Sequence, residues 1–179
     1  PGVNLYYTDR PEELAKADII VLPGSKNTLS DLRTLHEKGL AQAITAHHRA
    51  GKPLYGICGG YQMMGAEMRD PDGVEGDIAS LPGLGILPVT TTLAGGKQTR
   101  RCSFVFTDGG AEGEGYEIHA GSTPTSRPLC RLNTGEDDGY YLNEATWGTY
   151  LHGIFNNASV INRVLRQVNT DVHAEADYR

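Results

Sequence analysis

YGICGGYQMMG, residues 55–65, sets one cysteine between a short apolar run and a pair of glycines, with a glutamine four residues further on. Together with the preceding residues, KPLYGIC (52–58) predicts a strand that ends at Cys58, and YQMMGAE continues as a helix with Met63 and Met64 facing inward. Such an elbow lifts a thiol clear of the sheet at a helix N-terminus. Glycines at 56, 59 and 60 remove Cβ atoms where strand and helix approach each other. Helix N-terminal N–H groups stabilise a thiolate, so the position predicts a lowered thiol pKa and a stronger nucleophile. The amide of Gly59 is expected to point at an attacked carbonyl as half of an oxyanion hole, with a second donor from the turn around Gly24 and Ser25. The competing reading is a buried structural cysteine, which holds for Cys102 and Cys130 because both lie within strand-like runs.

Upstream, ADIIVLPG (17–24) reads as a buried strand closed by a tight turn. Thr28 or Ser30 can cap a helix through Leu29, Leu32 and Leu35, and a second helix from Leu40 to Ala50 stops at Gly51. Strand, helix, strand, helix at this spacing predicts an α/β fold, with a mostly parallel sheet covered on both faces. Downstream, GILPVTTTL (85–93), RRCSFVFT (100–107), GYEIHA (115–120) and PLCRL (128–132) read as short strands that add antiparallel pieces, and DGGAEGEG (108–115) as a solvated hairpin connection. ATWGTYLHGIF (145–155) is a strand leading into a turn. Ser159 to Val168 is a helix with Val160, Ile161, Val164, Leu165 and Val168 inward. VNLYY (3–7) is the first strand, with no element before it to complete a doubly wound sheet, so the chain is expected to be a fragment or subunit of something larger.

The chain of 179 residues suits one domain over 1–179, and 39% apolar with 21% charged residues suits a globular protein rather than a disordered or membrane one. Ala17 to Pro23 is interrupted by Asp18 and far too short to span a bilayer, and the N-terminus has neither a basic nor an apolar targeting region. With a net charge of -6 and scattered Lys and Arg, no nucleic-acid footprint is present. Three cysteines without CxxC spacing oppose a disulfide framework and a zinc site, so no metal is expected and the setting is a reducing cytoplasm.

A nucleophilic thiol needs a base. His36, His47 and His48 fall on charged helix faces and His173 in a polar tail, so all four read as surface residues. His152, in TYLHGIF, sits where an apolar strand ends beside a glycine. Strand C-termini are where ligands bind in parallel α/β sheets, so His152 is the candidate partner of Cys58, with His119 in GYEIHAG as the competitor.

GICGGYQ (56–62) followed by a later HG resembles the class I, triad-type glutamine amidotransferases, and LPGSKNTLSDL (22–32), GLGILPV (83–89), GYEIHAG (115–121) and GTYLHGIF (148–155) are similar to their cobyric acid synthase branch. The resemblance implies a flavodoxin-like glutamine amidotransferase fold. It also implies that Cys58 attacks the side-chain amide of L-glutamine to form a thioester and release ammonia, with His152 protonating the departing amine and then activating water. By the same resemblance Gln62 helps hold the substrate, Gly24, Ser25 and Gly59 map onto the oxyanion region, and Tyr116, Glu117 and His119 match a branch motif near the site. Most triad amidotransferases carry a Glu two residues after the histidine, whereas position 154 here is isoleucine, as the branch is similar in lacking that Glu. Glu117, a residue from a partner, or nothing then orients His152. Enzymes of this branch pair the glutaminase with an N-terminal synthetase domain that uses ATP and Mg to amidate corrin carboxylates. No GxxxxGK[ST] phosphate loop occurs in this chain, so the resemblance implies the glutaminase half alone, needing no cofactor for glutamine hydrolysis. Three other readings stand beside it: the glutaminase of a cobyrinic acid a,c-diamide synthase or of a cell-wall amidotransferase, a docking module that keeps the fold, and a cysteine hydrolase acting on peptides.

Overall fold

A computed structural model describes residues 7–168 of the chain. In chain order its elements are α1 (Pro11–Leu14), β1 (Ile20–Leu22), α2 (Thr28–Glu37), α3 (Leu40–Arg49), β2 (Leu54–Ile57), α4 (Gly59–Met64), β3 (Glu67–Arg69), β4 (Ser80–Pro82) and β5 (Thr90–Thr92). There follow β6 (Gln98–Phe106), β7 (Glu112–His119), β8 (Cys130–Leu132), β9 (Asp137–Asp138), β10 (Tyr140–Asn143), β11 (Thr146–Thr149), β12 (Leu151–His152), a 3-10 turn (Ile154–Asn156) and α5 (Ala158–Leu165).

β2 is buried at every position, as a strand is when it has a neighbour on each edge and a layer on each face. It lies between β1 and β11, parallel to both, in a sheet of order β1-β2-β11-β10 whose last strand runs antiparallel. Leu54 packs with Ile20 and Leu22 of β1, Ile44 of α3, and Tyr61 and Met64 of α4, so helices cover that face. On the other face Tyr55 and Ile57 meet Phe104 and Phe106 of β6, Leu132 of β8, and Val160 and Val164 of α5. The second cover is therefore the antiparallel sheet of order β12-β7-β6-β8-β9 together with α5, a layer of its own rather than an extension of the parallel sheet. Trp147 anchors this layer: its ring lies 4.4 Å from that of its register partner Tyr55 and 5.8 Å from that of Phe106. A third, small sheet of order β4-β3-β5 closes the molecule beside α4.

The glycines around the elbow act through close approach. A Cβ on Gly60 would run into the carbonyl oxygen of Leu22, and one on Gly56 would lie 2.8 Å from the amide nitrogen of Tyr61. Their absence lets the first turn of α4 lie directly on β1 and β2.

Several expectations need correction. Helix α4 stops at Met64, because Gly65 is extended and residues 67–69 pair with 80–82 and 90–92. GILPV is a turn around the end of that helix, with the amides of Ile86 and Leu87 both donating to Met64 O at 3.0 and 2.9 Å, and only Thr90–Thr92 is strand. The cap of α2 is Asn27, whose Oδ1 accepts from the Ser30 amide at 3.0 Å, rather than Thr28 or Ser30. Half of the acidic glycine run is strand, since β7 begins at Glu112. Val168 is 44% exposed and the inward side of α5 includes Arg163, which forms an ion pair with Glu144. His47 is buried, its Nε2–H donating to Pro53 O at 2.7 Å, which ties the end of α3 to the start of β2. The expected strand VNLYY lies outside the described residues up to position 6, and His173 lies outside them altogether. Among the described residues no helix is long and apolar enough to cross a membrane.

Candidate active site

Cys58 closes β2 and opens α4 with φ 52° and ψ -111°, the one non-glycine residue with positive φ among those described. An L-residue holds such a conformation only where its surroundings enforce it. Here the Cys58 amide donates to Thr149 O at 2.7 Å and its thiol to Tyr150 O at 3.3 Å, so both backbone and side chain are pinned to the chain that follows β11. The thiol is buried, and burial pushes its pKa up to about 12, with the Asp138 carboxylate adding to the rise and the Lys97 ammonium opposing it. That reverses the expected direction. A helix of six residues presents a weak dipole, and desolvation of the thiolate outweighs it.

His152 ends β12, the edge strand beside β7, where it pairs with Tyr116. It meets Cys58 across Gly24: a Cβ on Gly24 would lie 3.3 Å from His152 Cε1, 3.5 Å from Nε2 and 3.7 Å from Cys58 Cβ. Nucleophile and imidazole thus border one space that a glycine leaves open. Burial lowers the His152 pKa, and the Lys97 ammonium lowers it further, so the ring is neutral at pH 7 and able to take a proton. The turn after β1 closes over the elbow as well. A Cβ on Gly59 would lie 2.9 Å from Thr28 Oγ1 and 3.1 Å from the Ser25 amide nitrogen, so Ser25 and Gly59 come together beside Cys58. Ser25 and Asp31 are joined through the Ser25 hydroxyl, which donates to the carboxylate and holds that turn on the first turn of α2.

Gln62 is buried, and its Nε2 donates to the Tyr150 hydroxyl at 3.1 Å; that hydroxyl is also bonded to Thr123 Oγ1. In this conformation its amide belongs to the wall of the site. The GYEIH residues divide between the two faces of β7. Tyr116, opposite His152, is 49% exposed. Glu117 stands opposite Leu151, on the other side of the pleat from His152, and accepts from Arg100 Nε at 2.6 Å. The pleat thus removes Glu117 as the group that orients His152. His119 donates from Nδ1 to Gly121 O at 2.6 Å and lays its ring 4.4 Å from that of Tyr150, so it lines the wall behind Gln62 while His152 takes the place beside Cys58.

Three residues escaped the sequence reading. Tyr150 supplies the carbonyl that receives the thiol and the hydroxyl that receives Gln62. Thr149 supplies the carbonyl that receives the Cys58 amide. Asp138, only 3% exposed, accepts from the Tyr150 amide at 3.0 Å and from the Thr149 hydroxyl. Burial raises the Asp138 pKa to about 6 against the hydrogen bonds from Thr149 and Tyr150, which lower it. No local signal marks Asp138, since EDDG reads as a polar turn and only the return of the chain from β11 to β12 places it inside; Thr149 and Tyr150 lie in the GTYLHGIF stretch, but as backbone acceptors they carry no signal of their own. Among the described residues no cluster of His, Cys, Asp and Glu could hold a metal ion.

The chain is similar to known proteins in sequence and in fold. The family model of the CobB/CobQ-like glutamine amidotransferase domain matches residues 1–160. A cobyric acid synthase of Bacteroides fragilis is 54% identical over 171 residues, covering 92% of this chain and 34% of that protein. One of Phocaeicola vulgatus is 48% identical over 184 residues, covering 99% of this chain and 37% of that protein. The chain thus spans about a third of the length of these relatives. Among solved structures, a crystal structure of a glutamine amidotransferase matches with a TM-score of 0.63 at 17% identity, over 92% of this chain and 84% of that one. PurLQS from Thermotoga maritima matches at 0.59 and 16%, over 85% and 80%. At such identities the structural likeness shows the fold.

Proposed function

The chain belongs to the CobB/CobQ-like glutamine amidotransferase domain family, and from that premise we propose that it hydrolyses L-glutamine at Cys58 and delivers the ammonia to a synthetase domain that amidates a corrin carboxylate. The observation that carries the proposal is the meeting of the strained Cys58 elbow and a neutral His152 imidazole across Gly24.

The thiol proton passes to His152 as sulfur attacks the side-chain amide carbon of glutamine. Charge develops on the amide oxygen, and the amides of Gly59 and Ser25 are the donors that receive it. Collapse breaks the C–N bond, the imidazolium gives its proton to the departing nitrogen, and ammonia leaves a γ-glutamyl thioester on Cys58. Water then attacks the thioester with His152 as base, and glutamate is released. A thiol raised to about 12 would be a poor nucleophile on its own, so transfer of its proton must accompany attack. Gln62, Tyr150 and His119 form the wall against which the substrate side chain is placed, and Tyr116 stands at the open rim.

On this reading the glutaminase step uses no metal or cofactor, while ATP and Mg serve the synthetase domain. The high identity to cobyric acid synthases favours that enzyme, with cobyrinic acid a,c-diamide as acceptor, over the glutaminase of a diamide synthase or of a cell-wall amidotransferase. A chain whose three cysteines are all free and buried, one of them the catalytic thiol, is suited to a reducing cytoplasm.

Treatment with a diazo-ketone analogue of glutamine, followed by mass analysis of the intact chain and its peptides, tests the donor half. Modification is expected at Cys58 alone, blocked by glutamine, absent in Cys58→Ser and slowed in His152→Ala. An unmodified Cys58, even with a synthetase domain added, would leave a docking module as the better reading. For the acceptor half, the synthetase domain supplied with ATP, Mg and cobyrinic acid a,c-diamide should form amide with glutamine as the nitrogen source.

A further inference from the structure

We propose that Asp138 is the positioning residue of the Cys58 and His152 pair: its buried carboxylate fixes the corner at residues 149–151 that receives the elbow on one side and carries the imidazole onward on the other. The inference deepens the glutaminase reading and rests on it.

Between β11 and β12 the chain leaves the parallel sheet and joins the antiparallel one within a few residues, so the amides of Tyr150 and Leu151 find side-chain acceptors instead of ladder partners. One carboxylate organises both. Asp138 accepts from the Tyr150 amide at 3.0 Å and from the Thr149 hydroxyl, and Thr149 Oγ1 in turn accepts from the Leu151 amide at 3.0 Å. The carbonyls of the same corner point the other way. Thr149 O holds the Cys58 amide and Tyr150 O holds the thiol. His152 is the next residue of the strand after Leu151, so a shift of the corner would move both members of the pair.

Burying a carboxylate is costly, and here both of its oxygens are used, Oδ1 accepting from the Tyr150 amide and Oδ2 from the Thr149 hydroxyl, a pair that an amide with one acceptor oxygen would not match. The titratable groups that interact with Asp138 are Glu117 and His119 of β7, Cys102 of β6, Cys130 of β8, Cys58 at the elbow, Tyr61 of α4 and Tyr150 of the corner itself. His119 is the one group among them that can carry positive charge, and the carboxylate acts on Cys58 to disfavour the thiolate. A positioning carboxylate at this place therefore leaves a double signature. Its neutral replacement loosens the corner, which slows turnover, and frees the thiol, which speeds simple alkylation.

The experiment compares the parent chain with Asp138→Asn. Glutaminase kcat is expected to fall about tenfold or more with KM within about twofold, while alkylation of Cys58 by iodoacetamide at pH 8 rises about threefold or more. A kcat within twofold of the parent overturns the proposal, and so does a fall in kcat with alkylation unchanged or slowed, which marks Asp138 as a structural acceptor only. If Asp138→Asn does not fold, Thr149→Val decides by turnover: it removes the hydroxyl that links Asp138 to Leu151 but keeps the side-chain shape and the carboxylate charge, so kcat is expected to fall about tenfold with KM within about twofold and alkylation not raised, and a kcat within twofold of the parent overturns the proposal. Failure of the parent Cys58 to take the diazo-ketone glutamine analogue would sink the glutamine reading by itself, and the alkylation comparison would still decide about Asp138.

Discussion

Gly24 faces His152 across a gap that one methyl group would fill: a Cβ at Gly24 would lie 3.3 Å from the imidazole Cε1 and 3.7 Å from Cys58 Cβ. Gly24→Ala should therefore fold normally and lose activity, because the added methyl presses on the ring and occupies the space between thiol and base. Displacement of a reacting group by a fraction of an ångström to an ångström costs on the order of 10²-fold in rate. A kcat/KM for glutamine within threefold of the parent, with the thermal midpoint unchanged, would show that the gap has no part in catalysis.

The acid limb of glutaminase activity should report His152. Burial lowers its pKa and the nearby Lys97 ammonium lowers it further, since both disfavour the imidazolium. The free enzyme should then lose kcat/KM only as pH falls below the usual histidine value of about 6.5. Removing the Lys97 charge with Lys97→Met lifts one of the two restraints and should move that limb toward higher pH. Movement to lower pH, or none, would show that Lys97 does not act on the imidazole.

The Asp138 carboxyl has the opposite sign in its effect on stability. Burial raises its folded-state pKa to about 6, above the ordinary value of 3.8, so the folded chain holds this proton more tightly than the unfolded one. Its contribution to stability is fully present below about pH 4 and is lost as pH rises through about 6. Asp138→Asn removes that loss. The thermal midpoint of the variant minus that of the parent should therefore grow more positive from pH 4 to pH 7, whatever its value at pH 4. A difference that stays flat across this range would mean that Asp138 titrates alike in the folded and unfolded chain.

What could be read from the sequence was local. The elbow announces itself because a strand, a cysteine and closely spaced glycines have to be consecutive for a thiol to stand at a strand-to-helix turn, and His152 stands out because an apolar strand ends on it. What could not be read depended on contacts made far along the chain. Asp138 is buried only because β9 comes to lie beside the corner that follows β11, and His47 only because α3 ends against Pro53. GILPV has the composition of a strand but is used to close the end of α4, a role set by where Met64 presents its carbonyl. The lowered thiol pKa followed correctly from a helix N-terminus and failed because the sequence does not reveal how completely Cys58 would be covered.

The elbow should tolerate no side chain where α4 crosses β1. A Cβ on Gly60 meets the Leu22 carbonyl oxygen and carbon, which are backbone atoms of β1 and cannot turn aside. Gly60→Ala is expected to destabilise the fold by about 3 kcal/mol or more, at the top of the range for overpacking because strand and helix must both move. Gly95, whose added Cβ would meet nothing within 4 Å, supplies the contrast. Gly95→Ala should be neutral or stabilising by about 0.4–1 kcal/mol through the unfolded state. Urea unfolding of the two variants measures both. If the Gly60 midpoint falls no further than the Gly95 one, close approach is not the reason for glycine at position 60, and its place in the elbow would have to be explained by the chemistry of the site.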